Sequence, residues 1–360
     1  MAFPTGAITL SQICDAYGVS RNMGALRGKN IYNADGTSST VPATGAFSMN
    51  SFRGKYSVPQ ALTWTASTNN PFSGNTGNGI AWNGSYWLAA GYNSNFTVSI
   101  AKSTDGDSWT TSNPLRVAKG IAWNGTYWVA VGASTGATVC IVKSSDGVSW
   151  TNSTNNPFSG GLCNGIAWNG SYWLAAGYNS SFTGLVAKST DGIAWTDIVN
   201  AGASNGIAWN GSYWLGVRTG ITKSTDGITW NDSTTNPFSG GIGSGIAWNG
   251  SYWVAVGRSS SGTVCIAKST DGMTWVNSTN NPFTGGYGYG IAWNGSYWVA
   301  VGNNTNSTVT IAQSTDGMTW TNSTNSPFTG GTGKGIAWNG TFWLSVGLNT
   351  TGSVCIAKSN

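Results

Sequence analysis

The residues able to carry chemistry are few in number and in kind. All eleven acidic residues are Asp, and the chain has no Glu and no His. That removes the Ser/His/Asp triad, the Cys/His dyad, His-ligated zinc and any Glu-based acid/base pair. What remains is a set of aspartates and lysines that recur at fixed places. Asp105, Asp146, Asp191, Asp226, Asp271 and Asp316 each precede a Gly. An Asp in such a turn can bond the turn N–H groups through its own carboxylate. These six are therefore expected to form turns, not to hold a metal or donate protons. Lys102, Lys143, Lys188, Lys223, Lys268 and Lys358 stand just ahead of the turns or in the matching place. Such a ring could meet phosphate, but solvated strand ends are the simpler expectation. Cys140, Cys265 and Cys355 occupy one position in three different repeats, so they are read as small buried apolar residues and not as disulfide partners. No catalytic residue, metal or cofactor is expected.

The elements that position these residues follow from an internal repeat. The string GIAWNG begins at Gly79, Gly120, Gly165, Gly206, Gly245, Gly290 and Gly335, and all 21 Trp fall within seven copies of one pattern. Within the first copy, strands are predicted at Ile80–Trp82, Tyr86–Ala90, Val98–Lys102 and Ser108–Thr111. Asn83-Gly84 reads as a two-residue hairpin turn with positive φ at both residues, and Asp105-Gly106 as the turn before the fourth strand. Four-stranded antiparallel units of this size, repeated seven times, describe an all-β, seven-bladed β-propeller. The last copy reaches Lys358 without its fourth strand, and Ala61-Leu62-Thr63-Trp64-Thr65 supplies the missing sequence from the N-terminal side. An N-terminal strand is thus expected to complete the last blade, closing the ring and removing two exposed edges. The division expected is residues 1–58 as an anchoring segment and 59–360 as the propeller. A short helix is possible near Ser11–Tyr17.

Other classes are disfavoured. The net charge of +5 on 360 residues provides no basic stripe, so nucleic acid is not an expected partner. No run of about 18 apolar residues is present, so membrane insertion is not expected. The start, MAFPTGAITL, lacks the basic and apolar regions of a secretory signal.

The turn K-S-T-D-G-x-[TS]-W resembles the Asp-box of sialidase-like propellers, with one residue fewer between Asp and Gly. A sialidase, as that resemblance implies, needs an arginine cluster, a Tyr nucleophile paired with Glu, and an acid. With six Arg and no Glu the chain departs from that set, and no hydrolase activity is expected. Outside the repeats, Gly6-Ala7-Ile8-Thr9-Leu10-Ser11-Gln12-Ile13 and the stretch from Gly45 through Phe52 to Arg53-Gly54-Lys55 resemble a short N-terminal segment of bacteriophage virion and tail proteins. The tryptophan-rich repeats are also similar to those in proteins of large algal viruses. Both resemblances imply a virion structural protein, present in multiple copies and docked to other virion proteins through residues 1–58.

Length and sequence variation both point to one face of the disc. The fourth-to-first and second-to-third connections vary, whereas the Asn-Gly and Asp-Gly turns do not. In an alternating four-stranded blade these two sets emerge on opposite faces. The residue before each GIAWNG Gly also differs (Asn78, Lys119, Asn164, Asn205, Ser244, Tyr289 and Lys334) and should ring the mouth of the central channel. The second-to-third loops add Tyr92, Asn93, Phe96, Tyr178, Phe182 and Arg258. Aromatic rings with amides and hydroxyls suit sugars, and binding loops on a rigid scaffold are the usual arrangement. The reading is a tail-fibre or tail-tip protein that binds a host-surface glycan or protein receptor by multivalent contact, without chemistry. A purely architectural virion protein and a cellular carbohydrate-binding propeller are the alternatives.

Overall fold

The computed structural model describes three short strands, Asn30–Asn33, Ser38–Thr40 and Lys55–Tyr56, and then residues 61–359 apart from 135, 137, 182 and 200–204. The chain divides into two compact units, Met1–Ala61 and Leu62–Asn360. In the first, Asn30–Asn33 is the middle strand of a three-stranded antiparallel sheet, paired Asn30 to Thr40 on one side and Tyr32 to Tyr56 on the other. Residues 6–13 and 45–54 and the possible helix at 11–17 lie outside the described residues.

The second unit is a seven-bladed propeller of four-stranded antiparallel sheets. In blade 1 the strands are Gly77–Trp82, Trp87–Gly91, Ile100–Ser103 and Thr110–Ser112, in that order across the sheet. The first strand is longer than predicted, and the others are displaced by one or two residues. In the last blade Trp64–Ala66 pairs with Ile356–Ser359, with Lys358 opposite Thr65 and Ser359 opposite Trp64. Asn325 fixes this strand further: its Oδ1 accepts the Trp64 N–H at 2.8 Å and its Nδ2 donates to the Trp64 carbonyl at 2.7 Å. The ring is sealed by a strand from the N-terminal side.

Burial follows from the stacking of blades. A twisted four-stranded sheet cannot cover both of its own faces. Among the described residues the core consists of seven clusters, each straddling two neighbouring blades. The cluster of Trp87, Phe72, Leu344 and Val346 spans the seam between blades 7 and 1. Trp87 and its six counterparts are wholly buried.

The channel explains the GIAWNG glycine. A Cβ on Gly79 would stand 2.9 Å from the Lys119 carbonyl oxygen, and one on Gly335 would stand 2.9 Å from that of Asn78. The same approach repeats from blade to blade around the ring. The innermost strands are so close that no side chain fits between their backbones.

The Asn-Gly turn departs from its predicted form. Asn83 N–H donates to the Tyr86 carbonyl at 3.3 Å, so the two loop residues are Gly84 and Ser85. Only Gly84 has positive φ, at 98°. That matches the single positive φ, at the first loop position, of a type II′ turn. Asn83 is selected for a different reason: its Oδ1 accepts the N–H groups of Ser85 and Tyr86 at 2.9 and 2.8 Å. An Asx bond, not a left-handed Asn, makes the turn.

Candidate functional site

On the tight-turn face the side chains are committed to one another. In each Asp-Gly turn the carboxylate accepts two backbone N–H groups; for Asp226 these come from Ile228 at 2.7 Å and Thr229 at 2.8 Å. Ser224 donates its hydroxyl to the same oxygen, and its own Oγ accepts the Gly227 N–H. These bonds favour the ionised form and hold Asp226 at a pKa of about 2. The same bonds lower Asp105, Asp146, Asp191 and Asp271, and for Asp316 they outweigh an opposing effect of burial.

The lysines are clamps between blades. Lys102 Nζ donates to the Asp146 carbonyl at 2.7 Å and lies 3.9 Å from the centroid of the Tyr86 ring. Lys143, Lys188, Lys223 and Lys268 repeat this arrangement, and Lys358 closes it onto Asp105 at 2.9 Å. Blade 6 carries Gln313 instead of Lys. The next Asp-Gly turn is missing there, because the fourth strand of blade 7 comes from the N-terminal side. Gln313 Oε1 accepts the Leu62 N–H at 3.2 Å, so an acceptor replaces a donor where the neighbour presents N–H in place of a carbonyl.

The opposite face is built differently. In six blades the innermost strand contains a bulge whose extra residue is the variable one. Gly77 pairs with Gly91 and Gly79 with Ala90, which leaves Asn78 unpaired between them. The shifts in the other five blades leave Lys119, Asn164, Ser244, Tyr289 and Lys334 in the same position. A bulge re-aims its side chain, and here it delivers one variable side chain per blade to the channel mouth. All seven variable residues line one cavity of about 420 Å³, together with Ile242 and Tyr287. Beneath it the channel itself, about 270 Å³, is lined mainly by the repeated Gly-Ile pairs.

The mouth is electrostatically lopsided. Tyr289, Lys334, Asn78 and Lys119 stand on four successive blades, 6, 7, 1 and 2; Asn164, Asn205 and Ser244 complete the circle with neutral groups. Lys334 Nζ lies 3.3 Å from the Tyr289 ring centroid. Tyr289 stacks on Tyr287 with centroids 5.6 Å apart, and Arg258 Nη1 donates to Tyr287 Oη at 3.1 Å. The result is a layered stack of Arg258, Tyr287, Tyr289 and Lys334. Burial, with Lys119 as a second cation nearby, lowers Lys334 to a pKa of about 8. Burial also depresses Lys119 and raises Tyr289. Asn78 and Asn205 use their amide N–H groups as clips, donating to the Ala118 and Gly243 carbonyls of the following blade.

At the rim, Tyr92 and Phe96 stack at 5.5 Å with planes 5° apart, and the Arg116 guanidinium covers Phe96 at 3.9 Å. Phe96, Arg116 and Asn113 border a second cavity of about 330 Å³ between blades 1 and 2. Asn93 is engaged in its own loop, accepting the Thr97 and Val98 N–H groups. Asn304 and Asn349 do the same in blades 6 and 7. Tyr178 continues the second strand of blade 3, opposite Leu162 and Gly184. Phe182 lies outside the described residues.

The structure thus brings Lys119, Tyr289 and Lys334 into one cavity, adds Arg258 behind them, and leaves Tyr92, Asn93 and Phe96 in the loop of blade 1 and Tyr178 on blade 3, none of them lining that cavity. Sequence reading missed Tyr287 and Ile242. Their signal was available: they stand two residues before the variable, bulged position on the same strand. Cys140, Cys163, Cys265 and Cys355 are buried free thiols.

No protein-family model matches the chain, and no curated protein matches it. Solved structures do. A GH74 enzyme of Niastella koreensis aligns with a TM-score of 0.55 at 17% identity, covering 80% of this chain and 43% of that one. An ancestral GH74 enzyme gives 0.55 at 15% identity, with 84% and 48% covered. Raptor of Chaetomium thermophilum gives 0.55 at 10%, with 86% and 31% covered. The chain spans less than half the length of each. At these identities the likeness is one of fold.

Proposed function

We propose that this protein is a non-enzymatic virion component, associated with a tail fibre or tail tip, that binds a host-surface glycan through the variable face of its propeller. The observation that carries the binding reading is the channel mouth. Seven bulged or strand-leading positions, carrying Asn, Lys, Ser or Tyr according to the blade, converge on one cavity, while the opposite face is spent on its own turns and on clamps between blades. The cavity volume lies within the range of about 300–1,000 Å³ typical of small-ligand sites. Its amides, hydroxyls and ammonium groups suit a saccharide. Retaining and inverting glycosidases ordinarily use a pair of carboxyl groups, and the nine residues lining the mouth include no carboxylate. The virion assignment rests on the resemblance of residues 6–13 and 45–55 to phage tail segments. Weak contacts repeated over many copies would give avidity.

Two measurements test the reading. Removing residues 1–58 should leave a folded propeller that no longer enters particles, and incorporation of the truncated chain would overturn the anchoring role. Alanine at Tyr289 and Lys334 should reduce host adsorption of intact particles. Unchanged adsorption would favour a purely architectural protein.

A further inference from the structure

Resting on the glycan-binding reading, we infer that the saccharide taken at the channel mouth is an acidic one, whose carboxylate or sulfate group is held between Lys119 and Lys334. Three observations lead there. First, two lysines converge on one cavity from blades flanking Asn78, and none of the nine lining residues is acidic. On the opposite face, by contrast, each of the six repeated lysines donates to a carbonyl oxygen of the adjoining turn. The mouth lysines share one cavity and repel one another across it, and an anion between them would relieve the repulsion.

Second, the aromatic faces are already in use. Tyr289 has Lys334 on its ring and Tyr287 stacked against it, and Arg258 is bonded to Tyr287. The tyrosines therefore offer the cavity edges and hydroxyls and little open ring surface, so recognition by charge takes precedence over stacking on sugar C–H faces. Third, the rest of the circle is neutral and polar. The carbonyl oxygens of Asn78 and Asn205 remain as acceptors after their amide N–H groups are clipped to the next blade. Acceptors of that kind suit sugar hydroxyls, which pairs one charged subsite with a hydroxyl-binding remainder.

Lys334, with a pKa of about 8, is mostly protonated at neutral pH and loses its charge on mild alkalinisation. The other titratable groups facing it are Lys119, Tyr289 and, through Tyr287, Arg258. Burial lowers the first and raises the second, so Lys334 loses its charge before the tyrosine gains any. Affinity for an acidic sugar should fall as pH rises through about 8, and an anion bound there should push the Lys334 titration upward.

The test is titration calorimetry of the full chain with trigalacturonate, a sulfated galactan tetrasaccharide and neutral galactotriose. The acidic sugars are expected to bind at least roughly tenfold more tightly than the neutral one, with a preference that shrinks in high salt. Comparing the first two identifies the anion. Lys119→Met and Lys334→Met should each remove most of that preference, whereas Lys334→Arg should retain it. NMR of the lysine ε-carbons in the unaltered protein provides a readout independent of any variant: the Lys334 midpoint should rise on adding trigalacturonate or the sulfated sugar. Equal binding of neutral and acidic sugars, lost on Tyr289→Ala, would leave the glycan reading standing and overturn this one. No shift of Lys334 and no binding of any of the three sugars would overturn both.

Discussion

Around the ring, the second-strand Trp of six blades donates its indole N–H to a Tyr hydroxyl of the preceding blade. The six bonds, from Trp128 to Tyr86 through Trp343 to Tyr297, measure 2.9–3.1 Å. The seventh is absent. Blade 7 carries Phe342, and Trp87 Nε1 is buried without a partner. The rings are nonetheless placed as elsewhere: Trp87 and Phe342 lie 5.8 Å apart at 36°, against 5.8 Å and 37° for Tyr172 and Trp214. Phe342→Tyr should therefore place a hydroxyl where the orphaned N–H points, with no repacking. A net hydrogen bond is worth about 1 kcal/mol, which for a domain of this size corresponds to a rise of about 1–3 °C in melting temperature. The converse change, Tyr127→Phe, strands the Trp173 N–H and should cost about 1–3 kcal/mol, because a buried donor then goes unpaired. Guanidinium unfolding read by tryptophan fluorescence measures both through the midpoint, provided the slope stays constant. A lower midpoint for Phe342→Tyr at unchanged slope would refute the claim that this seam lacks only an acceptor.

Other substitutions probe the remaining joints. Gly335→Ala drives a methyl group against the Asn78 carbonyl at the seam and should cost about 1–3 kcal/mol; Gly84→Ala, with open space around it, should cost only the left-handed backbone strain of about 1–2 kcal/mol. Both are checked by the same unfolding curves. Gln313→Lys puts a donor opposite the Leu62 N–H and should speed limited proteolysis between Leu62 and Trp64; equal cleavage rates would deny Gln313 that anchoring role. Acid sensitivity follows from the Asp turns. Their folded pKa values lie below the ordinary Asp value of about 3.9, so their stabilisation is complete at neutral pH. It should fade only as pH drops below about 4 and through about 2, the value for Asp226. The melting temperature should be flat from pH 7 to 5 and fall below 4, and Asp226→Asn should lower it at pH 7 while flattening part of the acid limb.

The ring was legible because its determinants are local and repeated. Trp spacing, two turns of fixed length and a displaced strand specify seven blades without any long-range information. Turn mechanism was less legible: Asn-Gly is compatible with two positive φ values or with one and an Asx bond, and only the backbone distinguishes them. The mouth was half legible. Variation before each GIAWNG Gly marked its position, but not the bulge that turns the side chain inward, because a bulge is a property of pairing between strands. Tyr287 was missed for the same reason. Two residues along an ordinary strand should share a face, yet here the second of them, Tyr289, is the unpaired residue of the bulge, and only the pairing shows where it and Tyr287 point. The lysine clamp was misleading in sequence, since a charge near a turn looks solvated until the neighbouring blade's carbonyl is in place.

These features account for how the chain divides its labour. The repeated polar groups on the tight-turn face are committed within their own turn (carboxylate and Asn amide oxygen to turn N–H) or in joints between blades (ammonium to carbonyl, phenol to indole). A change there disturbs two blades at once, which keeps those positions alike. On the channel side, the joint repeated between all blades is made by backbone, glycine Cα against carbonyl oxygen, and the amides of Asn78 and Asn205 add a clip at two of the seams. The side chain one residue earlier is not needed for that repeated joint and, on its bulge in six blades, points at the channel mouth. Binding residues can then differ from blade to blade without altering closure. The same separation predicts that exchanging Lys334 for the Asn found at the equivalent place in blade 1 should change stability by about 1 kcal/mol at most, the order of the cation–π contact with Tyr289 that it gives up, while changing what the mouth binds. A large loss of stability in Lys334→Asn would show that the mouth residues also carry the ring, and would remove the physical basis for treating this face as free to vary.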